Sequence, residues 1–167
     1  VFNGIKYLTN LVAVDWLGYL STGAATIQLK ERTYDMTVQF ENGETDSWNH
    51  ARRSVVNVTN FSTIEATVSA DTVINGKQID SWGVTRFGTN FVTEMNVPWK
   101  SGTTCGWWRP TQGKYTSTTD NFTITATASV DQNGNVVSGC GAYGYFLEWQ
   151  YTNGSNTASG DLVINYF

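Results

Sequence analysis

Few residues in this chain could do chemistry. Its one histidine, His50, stands in the polar run WNHARR, so a Ser-His-Asp relay would have to use it. That run reads as a solvated loop, where a histidine is ordinary. Neither a Gly-x-Ser-x-Gly elbow nor a Gly-rich phosphate loop occurs. Cleaving a glycosidic bond takes two carboxylates facing one cleft. Glu148, which interrupts the aromatic strand YFLEWQY, is the best acid for that work, and Glu94 in VTEMNV is the partner to test against it. A solvent-facing Glu or a structural ion pair explains each as well, so the expectation is no enzyme.

Metals are expected at no position, and no cofactor is expected. One His and two Cys make a poor transition-metal set. Asp71 and Asp80 are expected to face each other across a hairpin, where Ca²⁺ could relieve their repulsion. DQNGN at 131–135 opens like a calcium loop but lacks the following Gly and the distant Glu, and so reads as a turn.

Aromatic residues are the better prospect for binding. QFENGETDSWNH at 39–50 is echoed by VINGKQIDSWGV at 73–84, each with Asn-Gly and then Asp-Ser-Trp. With Asn42-Gly43 at a two-residue tip, Gln39 would face Asp46 and Thr37 would face Trp48 on a polar side, with Val38 and Phe40 turned to the core. An exposed indole beside hydrogen-bonding groups suits a sugar ring, so Trp48 is a candidate carbohydrate contact. In the second hairpin the spacing differs by one residue, which flips the face, so the echo is two hairpins and not a duplicated site. CGWWRP at 105–110 is the other cluster. Read as a strand, it cannot turn both Trp107 and Trp108 inward, which makes them candidate binding residues as well; a loop closing one end of the fold is the alternative.

Two features bear on covalent chemistry. Cys105 and Cys140 are the only thiols, and an even pair in a small Thr-rich chain is expected to form a disulfide. Asn57, Asn60, Asn121 and Asn153 each begin an Asn-x-Ser/Thr sequon, about as many as chance allows. By position, Asn57, Asn121 and Asn153 are the glycosylation candidates, Asn57 pointing outward between two valines and Asn153 at a turn.

The elements that must position these residues are strands. In NFTITATASV, Phe122, Ile124, Ala126, Ala128 and Val130 alternate with Thr123, Thr125, Thr127 and Ser129; Ile64, Ala66 and Val68 alternate with Thr63, Glu65 and Thr67. Asn-Gly at 3–4, 42–43, 75–76, 133–134 and 153–154 signals hairpins. Only Ile5, Leu8, Val12 and Trp16 would line a helical face, and that stretch is expected to be a terminal strand. The fold class is all-β: an antiparallel β-sandwich, jelly-roll or immunoglobulin-like, or a partly closed barrel, as a single domain over 1–167.

Composition narrows the partners. Charged residues make up 14% and the net charge is −4, which leaves no basic stripe for nucleic acid. No apolar run of eighteen residues argues for membrane insertion. A start at Val1 without Met or leader reads as a mature, processed chain, or as an excised domain. Polarity carried by Thr, Ser, Asn and Gly points to the cell exterior.

Apolar, strand-like character reaches both ends. VFNGIKYLTN starts at the first residue, and in GDLVINYF Leu162, Ile164 and Tyr166 share one face with Val163 and Phe167 on the other, as in a central strand. Residues 1–10 are therefore a candidate exchanged or donated N-terminal strand. The expected function is a secreted, non-enzymatic structural subunit of a cell-surface or filamentous assembly, a homo-oligomer or polymer. The alternative is a carbohydrate-binding module or lectin taking polysaccharide, and the third reading is a small glycan-cleaving enzyme.

Overall fold

Thr and Val at alternating positions favour extended backbone along most of this chain. The structure is a computed structural model describing residues 2–11 and 16–166. It contains β1 (Phe2–Leu11), α1 (Trp16–Thr22), β2 (Ala25–Gln39), β3 (Thr45–Thr59), β4 (Thr63–Ala70), β5 (Thr72–Ile74), β6 (Lys77–Val84), β7 (Asn90–Gly102), β8 (Gln112–Thr119), β9 (Phe122–Val130), β10 (Gly144–Asn153) and β11 (Asn156–Asn165). The all-β class holds. The N-terminal stretch divides: 2–11 is strand as expected, whereas Trp16–Thr22 is a short helix held by the edge-on contact of Tyr19 with Phe61 at 5.4 Å. Val12, Val1 and Phe167 lie outside the described residues.

The strands form one antiparallel sheet in the order β1-β2-β3-β4-β7-β8-β9-β10-β11, with β6 joined to β3 and β7 and β5 hanging from β6. Long strands make this possible. β3 pairs through Ser47–His50 with β6 and through Arg52–Thr59 with β4. β7 does the same, pairing Asn90–Glu94 with β6 and Trp99–Gly102 with β4. The circuit β3-β4-β7-β6 is thus a small closed ring inside an otherwise open sheet, which is the partly closed form of the expected fold.

Burial is concentrated in two places. Ala51, Ile79, Asp80 and Met95 are buried on the ring strands, and Ala128, Ser129, Val130, Ala142 and Tyr166 are buried at the far end. Between them runs an aromatic chain: Trp99 meets Tyr115 at 5.6 Å and Tyr145 at 5.8 Å, and Tyr145 meets Tyr166 edge-on at 4.6 Å.

Bulges account for several departures from simple alternation. Asn3-Gly4 is not a turn but a shift within β1. β2 slips between Thr33 and Met36, where Asp35 takes φ 51° and its N–H is bonded by Asn49 Oδ1 at 3.0 Å. β9 slips at Ser129 (φ 62°), so Ser129 is buried with Val130 and does not continue the hydroxyl face. The termini also differ from the expectation of central strands. β1 pairs with β2 of its own chain, Phe2 against Val38 through Leu11 against Gln28, and among the described residues β11 pairs only with β10. Both are edge strands, and Leu162 is 57% exposed.

Candidate functional site

The β2–β3 hairpin closes one residue differently from the two-residue expectation. Phe40 N–H bonds Glu44 O and Gly43 N–H bonds Phe40 O, so three residues, 41–43, form the tip. The register becomes Gln39 against Thr45, Val38 against Asp46 and Met36 against Trp48. A slip of one residue exchanges the faces. Trp48 keeps Asp46 beside it but gains Met36, Val38 and Phe40 in place of Thr37 and Gln39. Its surroundings are therefore largely apolar, not the polar face expected.

The neighbouring β6–β7 hairpin completes a groove there. Thr85 N–H bonds Thr89 O, leaving Arg86, Phe87 and Gly88 as its tip. The Arg86 guanidinium lies over Phe40 at 5.7 Å and over Phe87 at 4.7 Å, joining the two tips through cation–π contacts. Across the sheet, Trp48 pairs with Gly83, and Gly83 with Phe91. A Cβ at position 83 would collide with the Ser47 carbonyl oxygen, so only glycine lets β6 approach β3. No side chain rises between Trp48 and Phe91. The groove is open to solvent, has a volume of about 390 Å³ and is lined by Phe40, Asp46, Trp48, Arg86, Phe87 and Phe91 among others. Among the described residues, nothing donates a hydrogen bond to the buried Oδ1 of Asp46.

The Asn75-Gly76 tip sets β5 against β6 as expected, Ile74 against Lys77 through Thr72 against Ile79, with φ 50° and 79° at the tip; Asp71 and Asp80 lie just beyond the last of these pairs. Each carboxylate has cationic partners of its own. Arg52 grips Asp80 with Nε at 2.5 Å and Nη2 at 2.8 Å. Asp71 is held by Arg32 at 3.0 Å, Arg53 at 3.2 Å and Lys30 at 3.9 Å. Asp131 is likewise engaged by its own turn, accepting the N–H groups of Asn133 and Asn135, and the bonds from Asn135 do most to hold its pKa below the usual aspartate value.

His50 is not in a loop. It lies on β3 with its side chain 14% exposed, and its Nε2 is 3.1 Å from Glu31 Oε1 without the alignment of a hydrogen bond. The paired carboxylates also separate. Glu94, Thr116, Thr125, Glu148 and Asp161 form one row across β7-β8-β9-β10-β11. Three strand spacings put Glu94 about 14 Å from Glu148, beyond the reach of either glycosidase geometry. Glu94 instead pairs with Lys77 at 2.8 Å. The residue opposite Glu148 is Asp161, which sequence reasoning missed. The two line an open depression of about 490 Å³ with Thr123, Thr125, Trp149, Gln150 and Ser159.

Cys105 and Cys140 are joined, with Cα atoms 4.9 Å apart. Trp107 and Trp108 follow in a turn and not on a strand, so both are exposed, at 45% and 66%. The Trp108 ring covers Gly106. Among the sequons, Asn121 and Asn153 are exposed at hairpin ends, whereas Asn57 lies within β3 and accepts a bond from Thr26 Oγ1 at 2.8 Å. The remaining unexpected participants, Phe40, Arg86 and Phe91, carried only one faint signal: the aromatic tip Arg86-Phe87-Gly88 between two strands. No family model, curated protein or solved structure matches this chain.

Proposed function

We propose that this chain is a non-enzymatic structural subunit of an extracellular assembly, joined to its neighbours strand to strand. The observation that carries this reading is its unfinished surface. Its accessible area is 10,227 Å², about a quarter more than the roughly 8,200 Å² expected of a folded monomer of this mass. Both sheet ends are open, and an open edge invites another strand. Because β1 is taken up by its own chain, the reading is edge addition and not donation of residues 1–10.

The two edges suit one another. β1 and β11 are each ten residues long. Aligned end to end and antiparallel, residue 2 meets 165 and 11 meets 156. Lys6 then stands opposite Asp161, and Ile5 opposite Leu162. Such a contact is heterologous and does not close on itself, so it builds a filament. The disulfide supports an oxidising location. Glycans at Asn121 and Asn153, away from both edges' central residues, would be compatible with it.

Light scattering and electron micrographs of the native chain test the reading. Polymers are expected, with Asp161→Lys dispersing them and Lys6→Asp with Asp161→Lys restoring them. A monodisperse monomer at high concentration would overturn the assembly. Polymers indifferent to both substitutions would overturn the register alone.

A further inference from the structure

We infer that the groove between the hairpin tips 41–43 and 86–88 is a binding site for a neutral saccharide. This is independent of the assembly reading. Three observations converge on it. Asp46 places a carboxylate on the groove lining, and among the described residues nothing donates a hydrogen bond to its Oδ1. The surrounding surface is aromatic, with Phe40, Trp48 and Phe91 lining the groove. Arg86 is fixed above Phe40 and Phe87, and a guanidinium stacked on a ring face keeps its in-plane N–H donors free for a ligand.

Charge selects the ligand class. A cationic ligand would compete with Arg86 for the same ring faces and be repelled by it. An anion would meet the Asp46 carboxylate. A polyhydroxyl ring avoids both conflicts: one hydroxyl donates to the Asp46 carboxylate, a neighbouring oxygen accepts from Arg86, and the C–H face lies on the aromatic walls. The volume, about 390 Å³, lies within the span of small-molecule sites, roughly 300–1,000 Å³. Gly83 keeps the floor between Trp48 and Phe91 low enough to admit a ring.

The test titrates the full chain with neutral hexasaccharides of glucose, mannose, galactose and xylose, following tryptophan emission and migration in affinity gels. At least one should give a saturable shift. Asp46→Asn, which trades an acceptor for a donor on one atom, should weaken it tenfold or more, and Arg86→Lys threefold or more. Trp107→Ala with Trp108→Ala should leave it unchanged. If Asp46→Asn melts early, Arg86→Lys, on an exposed tip, decides the question by itself. The inference is overturned if none of the four sugars gives a saturable shift, or if binding survives both groove substitutions at full strength. It is also overturned if binding disappears with the Trp107/Trp108 pair, or if tetramethylammonium gives the saturable shift instead.

Discussion

The Tyr166 hydroxyl accepts the N–H of Ser129 at 2.8 Å and donates to Pro110 O at 3.2 Å. One buried side chain at the end of the last strand thereby ties the β9 bulge to the segment before β8. Burial raises the Tyr166 pKa above the ordinary tyrosine value, with the Ser129 N–H opposing that shift.

Tyr166→Phe leaves a buried N–H without its partner. Removing one member of such a pair costs about 1–3 kcal/mol. Urea denaturation should show that loss with an unchanged slope. No change in midpoint would mean that water replaces the hydroxyl.

Reducing Cys105–Cys140 should destabilise strongly. The bond spans a separation of 35 residues that includes all of β8 and β9, and closing such a loop contributes about 4 kcal/mol in the chain-entropy model. Melting with and without reductant checks this, and equal melting temperatures would rule it out.

Arg52 and Asp80 form a pair that is buried on the aspartate side, at 2% exposure against 40%. Arg52→Met strands that carboxylate and should cost about 3–5 kcal/mol, while Arg52→Met with Asp80→Leu should recover most of it. Chemical denaturation of the single and double variants decides between them.

Alkaline pH should weaken the fold through Tyr115. Burial, and then the Asp80 carboxylate, push its pKa up to about 12. Between pH 10 and 12 the unfolded chain releases the phenolic proton while the folded chain keeps it, so stability falls across that window and levels above it. Tyr115→Phe should flatten this part of a stability-against-pH curve followed by circular dichroism.

Strand identity was legible because apolar and polar residue types alternate from Phe122 to Ala128 and from Ile64 to Val68, although burial along β9 does not follow that alternation. The register of β5 on β6 was legible too, since a two-residue Asn-Gly tip leaves one register. What answers the Asp71 and Asp80 carboxylates was not. Arg32 reaches Asp71 from 39 residues away and Arg52 reaches Asp80 from 28, and nothing local announces either. The Trp48 face was misread for a related reason. A three-residue tip and a two-residue tip share the letters Asn-Gly, yet they set registers one residue apart and so give Trp48 different neighbours across the ladder. Bulges at Asp35 and Ser129 hide in the same way, because each satisfies its backbone through a partner that is remote in sequence: Asn49 for one, Tyr166 for the other.

The closed ring has a mechanical consequence. Tension applied between β1 and β11 would load the outer strands as zippers, breaking one ladder pair at a time at low force. At β3 the geometry changes, because that strand is clasped by β4 along one half and by β6 along the other. Both ladders would have to yield together, with the Arg52–Asp80 clasp spanning the junction. A chain built this way gives extension first and resistance second. In a pulled fibre, the flanks would act as slack and the four-stranded ring as the stop.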